Sequence, residues 1–191
     1  QIEKRIPNSK ANFKEASISL DVFNLGLKIK INKPDILVDR QSINLKSFTI
    51  FSDLKSSFEE KYLLQKIEIH FDDNKILDLK KTSLIKKVPV LDQTKFLEGI
   101  ANGNLVIDQF QKQKASTNFT GELKNVSIDI YEDVPFIKNF TSNIDFENNK
   151  ITLSEVVGVF GTFDIKSDEV SYSIDNRELR GNIIIDGQLK S

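Results

Sequence analysis

Apolar residues in this chain recur at every second position along most of its length. That period belongs to β-strands with one face turned away from water. In "ASISLDVFNLGLKIKIN" (16–32) it runs through Ile18, Leu20 and Val22, slips by one residue, and resumes at Leu25, Leu27, Ile29 and Ile31. A one-residue slip at Phe23-Asn24 is what a β-bulge produces. "PDILVDRQSINLKSFTIF" (34–51) reads as two strands around Arg40-Gln41, with Val38 opposite Ile43 and Ile36 opposite Leu45. "KIEIHFDDNKILDL" (66–79) reads as a hairpin whose Asp73-Asn74-Lys75 loop sets Phe71 opposite Leu77 and Ile69 opposite Leu79.

The C-terminal half follows the same habit. In "NIDFENNKITLS" (143–154) a two-residue Asn148-Asn149 turn pairs Phe146 with Ile151 and Ile144 with Leu153. In "EVSYSIDNRELRGNIIIDG" (169–187) a turn at Asn176-Arg177 pairs Ile174 with Leu179, Tyr172 with Gly181 and Val170 with Ile183. The segment from Lys114 to Asp133 places Thr117, Phe119 and Leu123 on one parity and Val126, Ile128 and Ile130 on the other, shifting near Lys124-Asn125. In "VVGVFGTFDIKSD" (156–168), Val157, Val159, Phe163 and Ile165 form one face running past Gly161. Gly161 is not followed directly by the Lys-Ser of a P-loop signature, and no helical pattern begins after Gly158 and Gly161, so a phosphate-cradling loop is not indicated. Glycines inside a strand mark bends or bulges, and these two are expected to be curvature points of a long sheet.

Helix signals are few. "LDQTKFLEGIANG" (91–103) has Asp92 as N-cap, Phe96, Leu97 and Ile100 at helical spacing, and Gly103 as a stop. "SSFEEKYLLQK" (56–66) carries Ser-to-Glu capping-box spacing. The expected fold is therefore mainly β: a long, curved, twisted antiparallel sheet of successive hairpins forming a half-open groove, with one or two short helices. "KKTSLIKKVPVLD" (80–92) is the candidate boundary, dividing an N-terminal hairpin segment, 1–87, from a short helix plus β-meander, 88–191. The apolar face of such strands needs a cover, supplied by a second sheet in a sandwich or barrel or by acyl chains on an open sheet. Alternation alone admits both.

Composition removes several functions. Of 191 residues, 29% are charged, yet the net charge is −1, against the basic face of a nucleic-acid binder. Only Arg5, Arg40, Arg177 and Arg180 offer guanidinium forks for phosphate or carboxylate clamps. Cysteine is absent, so thiolate nucleophiles, disulfides and cysteine-ligated metals are too. His70, in "IEIHFDDNK", shares a strand face with Asp72, but one histidine without cysteine is a poor ligand set for zinc, and the calcium-loop pattern lacks its glycine and terminal glutamate. The acidic pairs Glu59-Glu60, Asp72-Asp73, Glu132-Asp133 and Asp168-Glu169 are adjacent in sequence and read as solvated charge. No G-x-S-x-G motif accompanies His70. No catalytic residue, metal site or cofactor is assigned, and the chain is read as no enzyme. Asn118, Asn125 and Asn139 begin N-x-[ST] sequons, read as chance in an Asn-rich chain. Without methionine and opening on Gln1, the chain is expected to be a piece of a longer polypeptide. No apolar run reaches the roughly 18–20 residues of a bilayer span.

From "VPVLDQTKFLEGIANGNL" (88–105) to the C-terminus the order of motifs resembles the middle region of AsmA-like proteins of the YhdP type. Gly121, Leu123, Asn125 and Val126 fit the pattern "G-x-L-x-N-V-x-I", Pro135 and Phe136 fit "P-F-I", Gly158 and Gly161 fit "G-x-x-G-x-x-x-I", and Leu179, Gly181 and Gly187 fit the closing "L-x-G-x-I-x-I-x-G". The family's helix often carries a tryptophan near its start, which this chain lacks. The resemblance covers roughly 88–191. It implies a segment of a large periplasmic protein anchored in the inner membrane of a Gram-negative-type bacterium by a part lying outside these residues. The rest of its own chain would lie on both sides, and its apolar β-groove would carry phospholipid between inner and outer membranes. Alternation and resemblance together make Phe119, Ile128, Ile130, Phe146, Ile151, Val157, Val159, Phe163, Ile165, Tyr172, Ile174, Ile183 and Ile185 the candidates for contact with acyl chains. Gly121, Gly158, Gly161, Gly181 and Gly187 are the structural glycines. The rivals are a closed, non-catalytic scaffold, a hydrolase built on His70, and an adhesion or surface module.

Overall fold

The structure, a computed structural model, describes residues 9–22, 25–53, 64–82, 95–108, 116–129 and 135–187. The chain forms one large antiparallel sheet of 13 strands that does not close, with a single short helix among the described residues. The strands are β1 (Ser9–Asn12), β2 (Ala16–Asp21), β3 (Gly26–Asn32), β4 (Asp35–Val38), β5 (Gln41–Asp53), β6 (Leu64–Lys75), β7 (Lys95–Asp108), β8 (Ser116–Asp129), β9 (Ile137–Glu147), β10 (Lys150–Phe160), β11 (Phe163–Ser173), β12 (Glu178–Gly181) and β13 (Ile184–Asp186). The helix, α1 (Ile76–Lys80), follows β6 directly. The strand order is β1-β4-β5-β6-β7-β8-β9-β10-β11-β12, with β2 on β3, β3 on β5, and β13 on β11.

Two compact units share these strands: residues 1–72 with 103–119, and 73–102 with 120–191. The long strands β6, β7 and β8 each contribute to both. The expected boundary at 87/88 lies outside the described residues.

In the first unit β5 is the organising strand. Its start pairs with β4 (Ile36 opposite Ile43) and its end with β3 (Ile29 opposite Ile50, Ile31 opposite Phe48). The β4–β5 turn is Asp39-Arg40, with φ of 50° and 67°. Two consecutive positive φ values define the type I′ turn whose twist suits a hairpin. The hairpin is the one expected, but its turn lies one residue earlier, so Ile36 meets Ile43 and Val38 meets Gln41. The bulge expected at Phe23-Asn24 falls on residues outside the described ones, but the strands on either side of them do not run on as one. The chain reverses: β2 and β3 form a hairpin, with Ile18 opposite Ile29 and Leu20 opposite Leu27. A reversal leaves a one-residue slip in the alternation just as a bulge does. Among the described residues, Ile31, Ile36, Val38, Ile43, Leu45 and Phe48 are the buried apolar ones of this unit.

In the second unit Ile76, Val126, Phe140 and Val156 are buried together, with Phe96, Ala101, Leu123, Ile128, Ile137 and Leu153 packed against them. Val126 is fully excluded from solvent. Burial of a side chain of this size is worth about 1.5–3 kcal/mol. The Asn148-Asn149 turn has φ of 51° and 58°, again type I′, and produces the expected pairs of Phe146 with Ile151 and Ile144 with Leu153.

Three expectations fail here. The hairpin at Asp73–Lys75 is absent, because β6 runs on to Lys75 and continues into α1. Asn74 is buried and Asp73 accepts a hydrogen bond from Asn102 on β7 at 3.1 Å, so these turn-forming side chains serve strand packing. Of the helix expected over 92–103, residues 92–94 lie outside the described residues and 95–103 belong to β7. Gly99 and Gly103 both have positive φ (131° and 156°), and an irregularity in a two-residue period mimics helical spacing. Third, the last hairpin turns over 174–177, which moves its register by two: Val170, not Tyr172, faces Gly181, and Tyr172 faces Leu179. Of the helix expected at 56–66, residues 56–63 lie outside the described residues and 64–66 belong to β6.

Candidate functional site

Directly opposed residues of antiparallel strands share a face, and so do alternate residues of one strand. In the first unit these rules assemble three cross-strand rows: Leu20, Leu27 and Ser52; Ile18, Ile29, Ile50 and Ile67; and Ala16, Ile31, Phe48 and Ile69. All but Ser52 are apolar. The reverse face carries Lys28, Phe51 and Lys66 in one row and Lys30, Thr49 and Glu68 in the next. Both ammonium groups of the first row lie over the Phe51 ring, at 5.4 and 5.3 Å from its centroid, and Lys66 pairs with Glu68 at 2.7 Å. This part of the sheet is amphipathic, with an aliphatic face and a cationic one.

Coverage of the aliphatic face is graded. Ile31 and Phe48 are buried, Ile29, Ile50, Ile67 and Ile69 half-buried, and on β2 Ile18 and Leu20 are 70% and 66% exposed.

The second unit has a corresponding face. Phe146, Ile151, Tyr172 and Leu179 form one row, and Ile144, Leu153, Val170 and Gly181 the next. Leu153 belongs to the buried cluster of this unit. Exposure again rises outward, to 67% at Leu179 on β12.

A line of unusual backbone crosses this face. Asn125, Asn139 and Glu155 have φ of 49°, 51° and 54°, and each immediately precedes a buried residue, Val126, Phe140 or Val156. In a regular strand, residues three apart face opposite ways. The left-handed residue reverses that, so the pairs Leu123/Val126, Ile137/Phe140 and Leu153/Val156 all join one cluster. Side chains support the distortion: the Asn125 N–H donates to Thr141 Oγ1 (3.3 Å), Asn143 Nδ2 to Glu155 Oε2 (2.9 Å), and the buried Ser142 hydroxyl to Ser154 O (3.1 Å) or Asn143 O (2.6 Å). On β7 the fourth member of the line is Gly99. A Cβ there would lie 2.8 Å from both Cα and Cγ2 of Val126. Two of the three sequons are thus bulge sequences, with Asn in the left-handed region it tolerates best after glycine.

Of the candidates for acyl chains, Phe146, Ile151, Phe163, Ile165, Tyr172 and Ile185 lie on strands β9, β10, β11 and β13, and Ile128 packs against the buried cluster. Ile165 is buried, faces Gly158 on β10, and meets Ile185 on β13. Val157 and Val159 do not share the face of Phe163 and Ile165. The chain turns at Gly161-Thr162, which sets Phe160 opposite Phe163, Val157 opposite Lys166 and Val159 opposite Asp164. Val156 is buried and Val157 exposed, the reverse of the expected polarity, because Glu155 flips the strand. Ile174 opens the 174–177 turn, its N–H donating to Asn149 O, and Ile183 occupies the break between β12 and β13. Phe119 lies in the first unit, edge-on to Phe71 at 6.4 Å. Ile130 lies outside the described residues.

Gly161 is the first residue of a two-residue hairpin turn (φ 63°), the place where a type II′ turn puts glycine. It is therefore a reversal point, not a bend within one strand. Gly158 lies within β10, Gly121 within β8, Gly181 against the backbone of Val170, and Gly187 against the ring of Phe163. The alternation that would have located the first unit's face was legible in Leu27, Ile29, Ile31, Ile67 and Ile69, none of them among the candidates.

His70 lies on the cationic side of β6, opposite Ser47, and Asp72 and Asp73 sit within the strand rather than in a turn. No group of three or more His, Cys, Asp or Glu side chains comes together among the described residues. A cleft of about 500 Å³ by the Asn148-Asn149 turn is lined by polar and charged groups, including Asp145, Glu147, Lys150 and Asp175. No helix among the described residues is long and apolar enough to cross a membrane. No protein-family model, curated protein or solved structure matches this chain.

Proposed function

We propose that this chain is a segment of an AsmA-like, YhdP-type protein of the bacterial periplasm, and that phospholipid acyl chains lie along its aliphatic sheet faces on the way between inner and outer membranes. The polypeptide would be tethered to the inner membrane by an anchor beyond these residues. The observation that carries the reading is graded coverage: cross-strand rows of apolar residues pass from half-buried on the inner strands to some two-thirds exposed on β2 and β12. Such surface costs about 25 cal/mol per Å² in contact with water, and an acyl chain lying along the rows removes that cost. The chemistry required is passive: an apolar surface, no nucleophile and no proton transfer.

The test is native mass spectrometry and organic extraction of the protein purified without detergent. The reading expects co-purifying phospholipid that survives gel filtration. Protein that is repeatedly lipid-free, and binds no fatty-acyl probe when lipid is offered, contradicts it. A second reading, a non-catalytic scaffold with a closed core, draws on the second unit, where Val126 is solvent-free and Ile76 of α1 packs into the cluster. A dye that fluoresces on exposed apolar surface separates the two, since a closed scaffold binds little of it.

A further inference from the structure

The outer edges of the sheet differ in how they are guarded: β12 and β13 lie outermost beyond β11, and β1 and β2 lie outermost beyond β4 and β3. Sheet edges that stay unpaired are normally short, broken, charged or carry proline. The β12–β13 edge has these guards: strands of four and three residues, a break at Asn182-Ile183, and Glu178, Arg180 and Asp186 along it. Ser167 secures the break, its hydroxyl donating to Asn182 O at 2.7 Å. Along β2 the guards are few: its six residues, ASISLD, hold no proline, lysine or bulge, carry one charge at the terminal Asp21, and pair with β3 in unbroken register. Residues 16–20 are all exposed, and among the described residues no strand pairs with the outer side of β2.

The sequence of β2 is also self-complementary. Laid antiparallel against a second β2 about a two-fold axis through Ser19, it sets Ile18 opposite Leu20 and Ser17 opposite Asp21, with Ser19 opposite its own copy. No like charges oppose one another, and the parity keeps aliphatic side chains on one face, so the two faces join across the axis. A shift by one residue would oppose Ile to Ser and is disfavoured.

We infer that β2 is an interaction edge and that its partner is the β2 strand of a second copy, paired antiparallel about Ser19. This closes the open ladder and doubles the aliphatic face, independently of what that face holds. With few residues on each side the contact is small, of the weak, concentration-dependent class.

The chain has no cysteine, so a single introduced thiol reports without background. Directly opposed Cβ atoms lie about 4.5–5.5 Å apart, close enough for a disulfide after slight adjustment. Under mild oxidation, Ser19→Cys is expected to form a covalent dimer at least tenfold faster than Ser17→Cys, whose thiols would face Asp21 of the other copy. In the wild-type chain, sedimentation should show a mass rising toward twice the monomer's with concentration. Ile18→Lys should abolish that rise, with the far-ultraviolet circular dichroism retained. Equal cross-linking of the two cysteine variants, or a wild-type mass that stays monomeric at high concentration, overturns the proposal. A strand of the same polypeptide occupying this edge gives that second result.

Discussion

Replacing Gly99 by alanine is a severe test of the packing deduced for the second unit. Gly99 lies on β7 above Val126, and an added Cβ would come within 2.8 Å of Val126 Cα and Cγ2 and 3.1 Å of its Cβ. A clash with a flexible side-chain tip relaxes cheaply, but a clash with the backbone requires two strands to move apart. The residue also has φ of 131°, which side chains other than hydrogen rarely adopt. Backbone strain of this kind costs about 1–3 kcal/mol. Overpacking against a fully buried neighbour adds about 1–3 kcal/mol. Gly99→Ala should therefore destabilise by about 2–6 kcal/mol, a large part of the roughly 5–15 kcal/mol typical of a whole domain. Urea denaturation followed by circular dichroism measures it, as a fall in midpoint at constant slope. Combining it with Val126→Ala removes the clash with Cγ2 and leaves the clash with the Val126 backbone, so rescue should be partial. A loss below about 0.5 kcal/mol, within the range of indifferent surface changes, would refute the close approach. Full rescue by Val126→Ala would show that the backbone approach is not the source of strain.

Glu155→Gly should be neutral or stabilise by up to about 1 kcal/mol, although glycine normally weakens a strand, because the strain of a left-handed glutamate is relieved while the Asn143 hydrogen bond is lost. A loss above about 1 kcal/mol in urea titration would mean that the side chain, not the backbone, sets the bulge. Ser167→Ala leaves Asn182 O without its hydroxyl donor and should cost about 1–3 kcal/mol, with hydrogen exchange accelerating at β13 before β9. Uniform acceleration across β9–β13 would argue against a local fastening. The Arg180 guanidinium holds the Glu178 carboxyl below the usual glutamate range. A lowered folded value means that the pairing favours the fold above the ordinary glutamate pKa and is lost as pH falls through the lower folded value. By NMR titration, Arg180→Ala should raise the Glu178 midpoint. An unmoved midpoint would discount the pair.

The strands were legible because their period is local: Ile29 and Ile31 need only their own sequence to declare a face. Turns were legible where residue type forces the geometry, as at Asn148-Asn149, where both residues must reach positive φ. What stayed hidden was how a slip in the period resolves. The same one-residue shift is a reversal between β2 and β3 and a left-handed irregularity within β8 at Asn125, and only the partner strand distinguishes them. Glu155 gave no sign at all, since glutamate is not a left-handed residue by preference, and so Val156 and Val157 were assigned to the wrong faces. Asp73-Asn74 looked like a turn because its polar side chains find their use only when β7 lies alongside. The candidate surface was half legible for the same reason. Its aliphatic rows follow from alternation, but which rows remain open depends on what packs over them.

The central claim is that the aliphatic face of the sheet, and not its reverse, lies against acyl chains. Ile29 and Lys30 are neighbours in β3 whose side chains point to opposite faces, beside Ile50 and Thr49 respectively. A photo-cross-linking amino acid placed singly at each position, in cells with labelled phospholipid, tests the claim directly. Labelling from position 29, with little or none from position 30, is the predicted result. Equal labelling from both positions, or none from position 29 while the protein remains folded, would contradict it.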